Sequence, residues 1–583
     1  MKESISISGL GIICAIGNDA PQVLESLQEG RSGVAAMQYL QSRHSDLPVG
    51  EVKLSNEQMQ QMLGIEGSEP QSRTSLMGAI AIRQALQQAG LGDLAGKRVA
   101  VISGTTVGGM DVTEKYFQQM KQDDSLLYLP QSNECGKSTV EMAQMAGLEG
   151  AECCTISTAC SSALNSIILG SEMLMADEAD VVLAGGSEAL SRFHLNGFNT
   201  LMILDHQRCR PFDDTRAGLN LGEGAAFVVL QRTADAAQSL AYVAGYGNRC
   251  DAFHQTASSD NGEGAYLAMT DALSMAGLEP CDIQYVNAHG TGTPNNDLSE
   301  SQALKRVFGE NMPMVSSTKA FTGHTTSASG SIETVMCVLA MLNRFVPANL
   351  GWEHQIEGGI TPTCGAKDVD LHNVVCNSFG FGGNDSSLVI SLDAPQITAS
   401  AAESYECETL ADELVNSADQ LPALKEFISP MESRRMGKLL KAAHLSALRA
   451  LRTAGIECPD AIISATSRGM LEISQQFLED IFVNDEELLK PTLFMQSTHN
   501  TIGSSIAIRT RCHGYNTTYS QGDRSMEWAL RDARRLIENG QASSVLVGCY
   551  DESTPVMSSF AQRMGEKVPD DIYARSMVLV RKR

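Results

Sequence analysis

One cysteine of this 583-residue sequence stands where a nucleophile would be placed. Cys160 lies between Ala159 and Ser161, and the residues after it carry apolar side chains at helical spacing. A helix that begins at the cysteine would bring partial positive charge and free N–H groups to the sulfur, and the thiolate is the attacking form of a cysteine. Small neighbours leave room for an acyl group. The alternative, a structural buried cysteine, is our interpretation for four others: Cys14, Cys153, Cys154 and Cys376.

Two histidines follow in short segments rich in Gly, Ser and Thr. In "YVNAHGTGTPNNDLSE" (285–300) a short apolar run leads into His289 and a Gly/Thr turn, which would project the imidazole into a cleft. In "SSTKAFTGHTTSASGSIE" (316–333) Lys319, His324 and Glu333 surround a second loop of small residues. For His289 the alternative is a turn histidine that makes a structural hydrogen bond.

A third segment could stabilise negative charge through its backbone. The stretch "NSFGFGGND" (377–385), which we call the Gly-Phe loop, surrounds Phe379 and Phe381 with glycines. Glycines let backbone N–H groups approach a ligand closely, as an oxyanion hole requires. The alternative is a tight turn without a catalytic role.

In this order, a cysteine at a helix start, two histidines, a lysine and a Gly-Phe loop resemble the β-ketoacyl-[acyl-carrier-protein] synthases of the elongating Cys-His-His type, which have a thiolase fold. The resemblance covers roughly residues 4–393. Three further stretches carry it: "GGSEA" (185–189), "CRPFDDTRAGLNLGEGAA" (209–226) and "DAFHQTASSDNGEGAYLAM" (251–269).

The resemblance implies a role for each matching residue. Cys160 would accept the acyl chain, while His289 and His324 would bind the malonyl thioester carbonyl and promote loss of CO2. Lys319 would orient His324, with Glu333 as its acidic support. The N–H groups of Cys160 and Phe381 would form the oxyanion hole, and the Phe381 ring would gate the acyl pocket. The implied substrate-binding set, with no metal, is Thr291 and Thr293, which would hold the phosphopantetheine arm, together with Phe379 and Glu333.

The sequence departs from the family pattern at three places. Asn384 and Asp385 stand where the family usually has Thr-Asn after the glycines, and "GHTTSASG" replaces a more apolar loop after the second histidine. Before the helix predicted at 72–91, only Arg73 stands where family members often have several basic residues for carrier docking. This departure weighs against docking of a carrier at that surface.

The elements that must position these residues alternate between strand and helix. "RVAVISG" (98–104) and "ADVVLAGG" (179–186) have the short apolar runs of buried parallel strands, and residues 72–91 have helical periodicity ending at Gly90. This alternation predicts an α/β protein with mainly parallel sheets. With the resemblance, it predicts a layered thiolase-like fold whose two halves span residues 1–240 and 241–395, which we call together the first domain.

The C-terminal part repeats the front of the first domain. Residues 433–456, 461–470 and 542–552 echo, in the same order, the helix at 72–91 and the two strands. Aligning Gly548 with Gly185 gives an offset of 548 − 185 = 363, which places Asp523 opposite Cys160. Chance similarity of two α/β segments is the alternative. We call residues 402–583 the half-domain.

The half-domain is predicted to be a truncated synthase-like copy without a nucleophile, resembling the chain-length factors. A half-fold must bury its incomplete apolar surface elsewhere, so we expect it to cover and shape the first domain, including its acyl pocket or carrier entrance. A purely stabilising appendage is the alternative. The polar stretch after residue 395 is predicted to be a linker or irregular cover.

Composition restricts the partners. The net charge of −26 argues against nucleic acid and against an anionic membrane surface, and no segment is apolar enough to span a bilayer. Fifteen cysteines without CxxC pairs predict reduced thiols in the cytoplasm. The resemblance adds acyl carrier protein as partner, no cofactor beyond its phosphopantetheine arm, and a homodimer in which a strand near 152–158 pairs across a two-fold axis.

The sequence therefore predicts an acyltransferase, a 3-oxoacyl-[acyl-carrier-protein] synthase of fatty-acid or polyene/polyketide biosynthesis. One alternative is a hydrolase or transacylase that uses the same cysteine, against which the second histidine and Lys319 weigh. The other is a non-catalytic scaffold or chain-length subunit, against which the complete set of Cys160, His289 and His324 weighs.

Overall fold

A computed structural model describes residues 4–66, 69–126, 129, 134–395, 404–565 and 571–582. The strands of the first domain are β1 (Ile5–Cys14), β2 (Val99–Gly104), β3 (Glu152–Ile156), β4 (Val181–Glu188), β5 (Gly224–Arg232), β6 (Ala241–Cys250), β7 (Tyr285–Asn287), β8 (Met314–Ser316), β9 (Phe345–Val346), β10 (Ala366–Lys367), β11 (Asn373–Gly380) and β12 (Asn384–Ser391). Its helices are α1 (Ala20–Glu29), α2 (Asn56–Leu63), α3 (Arg73–Gln88), α4 (Met110–Met120), α5 (Cys135–Met145), α6 (Ser162–Met175), α7 (Arg192–Thr200), α8 (Glu263–Ala276), α9 (Pro294–Phe308), α10 (Lys319–Thr322) and α11 (Ser329–Leu342).

The half-domain continues the same alternation. Its strands are β13 (Cys407–Val415), β14 (Ala461–Ala465), β15 (Tyr515–Tyr519), β16 (Ser544–Glu552) and β17 (Ile572–Arg581). Its helices are α12 (Pro430–Ser433), α13 (Lys438–Ala454), α14 (Leu471–Val483), α15 (Pro491–Met495), α16 (Thr501–Thr510), α17 (Ser525–Glu538) and α18 (Pro555–Met564). None of the helices in the described ranges is both long and apolar enough to cross a bilayer.

Two helices that are buried along nearly their whole length follow the turns of Cys160 and His324. In α6 every residue from Ser162 to Leu174 is buried, and in α11 every residue from Ser329 to Met341 is buried. A helix that is apolar on all sides must lie inside a protein. The two helices pack on each other at the centre of the first domain, so the turns that precede them, with Cys160 and His324, meet at one place.

A continuous sheet runs through both parts of the chain. Its strand order is β13-β17-β16-β14-β15-β3-β2-β4-β5-β1-β6-β12-β11-β7-β8. The half-domain order β13-β17-β16-β14-β15 therefore mirrors β1-β5-β4-β2-β3 of the first domain. The offset of 363 holds for the elements at the centre of this symmetry, because 515 − 152 and 525 − 162 both give that value for β15/β3 and α17/α6. The predicted truncated copy is confirmed.

The half-domain joins the first domain edge to edge. Strand β15 pairs antiparallel with β3, Tyr519 opposite Ile156, and the N–H of Ser157 donates to Thr518 O at 2.9 Å. The predicted homodimer contact is wrong for this reason: the edge of β3 is already paired within the same chain. Association of two chains through another surface stays a prediction.

Two local predictions need correction. Residues 396–403 of the expected linker lie outside the described residues, but residues from Cys407 onward form the edge strand β13, whose largely exposed, acidic face hid its periodicity. The helix expected at 433–456 is divided, because α12 ends at Ser433 and α13 begins only after Gly437.

Candidate active site

Cys160 lies on a tight turn between a strand and a helix. Strand β3 ends at Ile156, a 3-10 turn spans Ala159–Ser161, and α6 follows. Ala159 has φ of +52°, and its counterpart in the half-domain, Gly522, has φ of +55°. A left-handed alanine costs energy that glycine avoids. The turn that carries the cysteine thus has a side chain in the left-handed conformation, whereas the equivalent turn of the half-domain has a glycine there.

The two histidines lie beside the sulfur. Nε2 of His324 is 3.1 Å from Sγ of Cys160, and Nδ1 of His324 is 3.0 Å from Oγ of Ser329. The rings of His289 and His324 are nearly perpendicular, with centroids 5.2 Å apart. One ligand-type atom each of Cys160, His289 and His324 lies within 4.8 Å of the others. Such a cluster can act on one small substrate group.

Glu300, which the sequence did not single out, holds the turn of the first histidine. Its two carboxylate oxygens accept the backbone N–H groups of His289 and Gly290, each at 2.8 Å. Glu300 lies on α9, at the end of the quoted segment 285–300. The contact could not be predicted from the sequence, because Glu300 is eleven positions from His289 and meets it only where α9 packs over the loop.

Burial keeps all three reactive side chains neutral at rest. It raises the pKa of the Cys160 thiol to about 12, although the charge of Lys319 and backbone N–H groups act in the opposite direction. Those N–H groups belong to Phe381 and Cys160 itself, the pair assigned to the oxyanion hole. Burial and the charge of Lys319 hold the pKa of His289 and His324 well below the ordinary value. The resting site therefore holds a thiol and two neutral imidazoles, rather than a thiolate.

Lys319 and Glu333 form a buried ion pair behind the histidines. Nζ of Lys319 is 2.6 Å from Oε1 of Glu333, and the side chains are 1% and 4% exposed. Neither residue lines the substrate cavity described below. The carboxylate of Glu333 is directed to Lys319, which fits its role as acidic support, and its place among the substrate-binding residues stays a prediction.

The cavity that opens over Cys160 has a volume of about 420 Å³. His289, His324, Phe379 and the glycines of the Gly-Phe loop line it, together with Thr291 and Thr293. The hydroxyl oxygens of the two threonines are 2.9 Å apart. The cavity thus brings seven of the nine predicted site residues to one space: Cys160, His289, His324, Phe379, Phe381, Thr291 and Thr293.

A second, inner cavity of about 20 Å³ lies beyond the sulfur and is walled by both parts of the chain. Phe381 lines both cavities, and its ring stacks on Phe198 at 5.6 Å. The half-domain contributes Phe494, Ser497 and Thr498. The half-domain therefore forms part of the wall of this inner cavity, although no sequence pattern identified these three residues. That it shapes the acyl pocket stays a prediction.

Arg73 is not available to a carrier. Its guanidinium donates to both carboxylate oxygens of Glu223, with the shortest contact 2.7 Å, and to the backbone oxygens of Val52 and Leu54. The pair is almost completely buried. The position where family members often present basic residues thus serves the internal structure of this chain.

Comparison with known proteins agrees with this site. The description "Beta-ketoacyl synthase, N-terminal domain" matches residues 2–236, "Beta-ketoacyl synthase, C-terminal domain" matches 240–353, and a second N-terminal domain model matches 409–581. The chain is 31% identical over 412 residues to 3-oxoacyl-[acyl-carrier-protein] synthase 2 of Vibrio cholerae, covering 67% of this chain and 99% of the relative. It is 31% identical over 413 residues to the protein of that name from Staphylococcus aureus strain N315, covering 67% and 98%.

Solved structures extend the likeness to the half-domain. "PfaC Keto synthase-Chain length factor" aligns with 99% of this chain and 78% of its own, at a TM-score of 0.78 and 18% identity, which shows the fold alone. The ketosynthase ApeO in complex with its chain length factor ApeC, from Xenorhabdus doucetiae, aligns with 67% of this chain and 98% of its own, at a TM-score of 0.58 and 29% identity. The site and the fold define a thiolase-like condensing enzyme. The chain belongs to the β-ketoacyl synthase family, with a second N-terminal-type domain fused to it.

Proposed function

We propose that this chain is a β-ketoacyl-[acyl-carrier-protein] synthase, which condenses an acyl chain bound to Cys160 with malonyl-acyl carrier protein. The observation that carries the proposal is the cluster of Cys160, His289 and His324 in one cavity, with Sγ and Nε2 of His324 3.1 Å apart. A non-catalytic subunit would not need this complete set.

In the first half-reaction the Cys160 sulfur attacks the carbonyl carbon of an acyl-carrier thioester. A new C–S bond forms, the bond to the carrier sulfur breaks, and the thiol proton ends on the departing carrier sulfur. The oxyanion that forms in between would be held by the N–H groups of Cys160 and Phe381, which already converge on the sulfur. Donors placed where charge develops are usually the largest single contribution to such catalysis.

In the second half-reaction the malonyl thioester loses CO2. The electron pair released becomes an enolate, whose oxygen the two neutral imidazoles would stabilise by donating hydrogen bonds. The Ser329 hydroxyl can donate to Nδ1 of His324, which leaves the His324 proton on Nε2, facing the cavity. The enolate carbon then attacks the carbonyl carbon of the acyl thioester, so that a C–C bond forms and the C–S bond to Cys160 breaks. The 3-oxoacyl product leaves on the carrier, and the Cys160 thiolate takes a proton from solvent.

The partner we propose is an acyl carrier protein whose phosphopantetheine arm enters past Thr291 and Thr293, so that no separate cofactor is needed. The fifteen cysteines are all free, which supports the proposed cytoplasmic location. For the half-domain we propose a part in setting chain length, in fatty-acid or polyene/polyketide synthesis. The support for this is its wall at the inner cavity.

The test is to follow the two half-reactions separately with purified protein. Acyl-carrier protein and peptide mass mapping should place one acyl group on Cys160, and Cys160→Ala should abolish it. His289→Ala and His324→Ala should release CO2 from malonyl-carrier protein about 10²–10³ times more slowly while still accepting the acyl group. Acylation that persists in Cys160→Ala would reject the proposal.

A further inference from the structure

The tip of the Gly-Phe loop is held from the half-domain. Nδ2 of Asn500 donates to Phe381 O at 2.8 Å and to Oδ1 of Asn384 at 2.7 Å. Oγ of Ser504 donates to the same Oδ1 at 3.1 Å, and Nδ2 of Asn384 donates to Asn516 O at 3.0 Å. Asn384, Asn500 and Ser504 are each 1% exposed. Four hydrogen bonds thus join a loop at the sulfur to a part of the chain more than a hundred residues away.

The backbone of the loop is pressed against α16, which begins at Thr501 right after Asn500. A Cβ on Gly382 would come within 2.2 Å of Oγ of Ser504, and φ of Gly382 is +86°. A side chain at Gly382 would therefore both clash with the half-domain and be strained. Within the first domain, the same loop is also fixed by the N–H of Gly382, which donates to Gln255 O at 2.7 Å.

Asn384 has the chemistry that this arrangement needs. Its carboxamide accepts two bonds at Oδ1 and donates one from Nδ2, all to half-domain residues. The threonine that the family usually has here carries a single hydroxyl with one proton, on a shorter side chain. It could not reproduce three bonds in these directions. The asparagine that replaces the family's usual threonine at position 384 thus has three hydrogen-bond partners in the half-domain.

The held loop carries two functional parts of the site. The Phe381 N–H lies at the Cys160 sulfur, and the Phe381 ring lies between the outer and inner cavities. Phe381 O, the acceptor of the Asn500 bond, belongs to the same residue. The peptide plane of Phe381 O adjoins the plane that carries the Phe381 N–H, and it is held by the Asn500 bond and by the bond from the Gly382 N–H to Gln255 O. Losing the Asn500 bond would remove one of these two restraints and so loosen the orientation of the N–H that must meet the oxyanion.

We propose that Asn384, Asn500 and Ser504 are positioning residues through which the half-domain holds the Phe381 N–H in register with Cys160. The proposal rests on the proposed function, in which that N–H stabilises the oxyanion of acyl transfer. It gives the half-domain a part in the first half-reaction that is separate from any effect on chain length. The histidines that serve the second half-reaction are held by other elements, namely Glu300 and Ser329 of the first domain.

The experiment compares full-length Asn500→Ala and Asn384→Thr with a matched control, Asn539→Ala, at an exposed asparagine of the half-domain. The rate of acyl transfer to Cys160 from acyl-carrier protein is measured by intact mass, and CO2 release from malonyl-carrier protein is measured beside it. Displacement of one catalytic group by about 1 Å costs up to ~10²-fold. We expect acyl transfer to fall about tenfold or more in both variants, with CO2 release within about twofold of wild type.

A purely structural role would lower both rates together, or lower the melting temperature with neither rate changed, and either result would overturn the proposal. Wild-type acyl transfer in Asn500→Ala and Asn384→Thr would overturn it as well. Ser504→Ala removes the hydrogen bond to Asn384 but leaves the bond from Asn500 to Phe381 O in place. It should therefore lower the rate of acyl transfer less than the other two variants. Failure of the proposed function itself is distinguishable, because the wild-type chain and Asn539→Ala would then show neither reaction.

Discussion

The buried pair of Lys319 and Glu333 gives the sharpest test of the electrostatic account. The two side chains are 1% and 4% exposed, and Oε2 of Glu333 has no hydrogen-bond partner among the described residues. Breaking a buried pair by removing one member costs roughly 3–5 kcal/mol. Glu333→Gln leaves a lysine cation without its carboxylate, so we expect a loss of unfolding free energy in that range.

Lys319→Met should cost less at neutral pH. Burial already raises the pKa of Glu333 to about 7, against the charge of Lys319. Without the lysine the carboxyl group takes up a proton and escapes part of the penalty. Replacing both residues, as in Lys319→Met with Glu333→Leu, should recover most of the loss, since apolar pairs of similar volume often match a buried ion pair.

The catalytic consequence has a definite direction. The charge of Lys319 lowers the pKa of both His289 and His324, so both pKa values rise in Lys319→Met. Because the neutral imidazoles are the active form, CO2 release should fail at higher pH than in the wild type when the pH is lowered. Lys319 also lowers the pKa of Cys160, which adds a penalty on acyl transfer.

The assays are urea unfolding followed by tryptophan fluorescence, and CO2 release from malonyl-carrier protein between about pH 5 and 8, where histidine ordinarily titrates. Two results would refute the reasoning. One is a pH profile of Lys319→Met that superimposes on the wild type. The other is a loss below about 1 kcal/mol in Glu333→Gln, far from the 3–5 kcal/mol of a broken buried pair.

Three further predictions follow from other contacts. Phe494→Ala opens the inner cavity and should lengthen the products seen by mass spectrometry. The control is Phe477→Ala, which should not lengthen them, because Phe477 packs on Phe494 without lining that cavity. Equal product lengths in the wild type and Phe494→Ala would show that the Phe494 ring does not set chain length. Burial beside two carboxyl groups raises the pKa of Asp385 well above its ordinary value. The contribution of Asp385 to stability is therefore full at acid pH and is lost as the pH rises through the raised pKa. Melting curves should show Asp385→Asn as stable as the wild type in acid and increasingly more stable than the wild type as the pH rises. Arg535→Met removes the cation 3.2 Å from Glu172, and burial already raises the pKa of that carboxyl group to about 7, so the group can take up a proton. Unfolding free energy should therefore fall by less than the roughly 3–5 kcal/mol of a fully broken pair, while no measurable loss would show that this bridge does not hold the two parts together.

The reactive residues could be predicted from sequence because their signals are local. Cys160 precedes an apolar helix by two residues, and His289 follows a three-residue strand by two, so a short segment shows both the reactive group and what positions it. The meeting of Cys160 with His324 required that α6 and α11 be buried together, and of these two helices only α6 is predicted from the sequence.

The remaining contacts could not be predicted because they join segments that no local pattern connects. Asn384 and Asn500 are 116 positions apart, and each looks like an ordinary polar residue near a turn. The repeat at offset 363 predicted the architecture of the half-domain, but a repeat is compatible with pairing to its own chain or to another. Only the pairing of β15 with β3 distinguishes the two, and it also explains why the predicted dimer edge is occupied.

The pseudo-symmetry of the β15–β3 junction explains which elements of the half-domain contact the active site. Each half reaches across with the helix that precedes its third strand. Helix α16 approaches the Gly-Phe loop, and α5 approaches the turn opposite, where Gly136 O accepts from Nε2 of Gln521 at 3.4 Å. On the first-domain side that reach completes a cavity, because strands β6 to β12 supply the histidines and the Gly-Phe loop. On the half-domain side the equivalent position is Asp523, which is exposed. The front-half elements of the half-domain are therefore sufficient for the contact that the active site uses, although their own equivalent turn has no nucleophile.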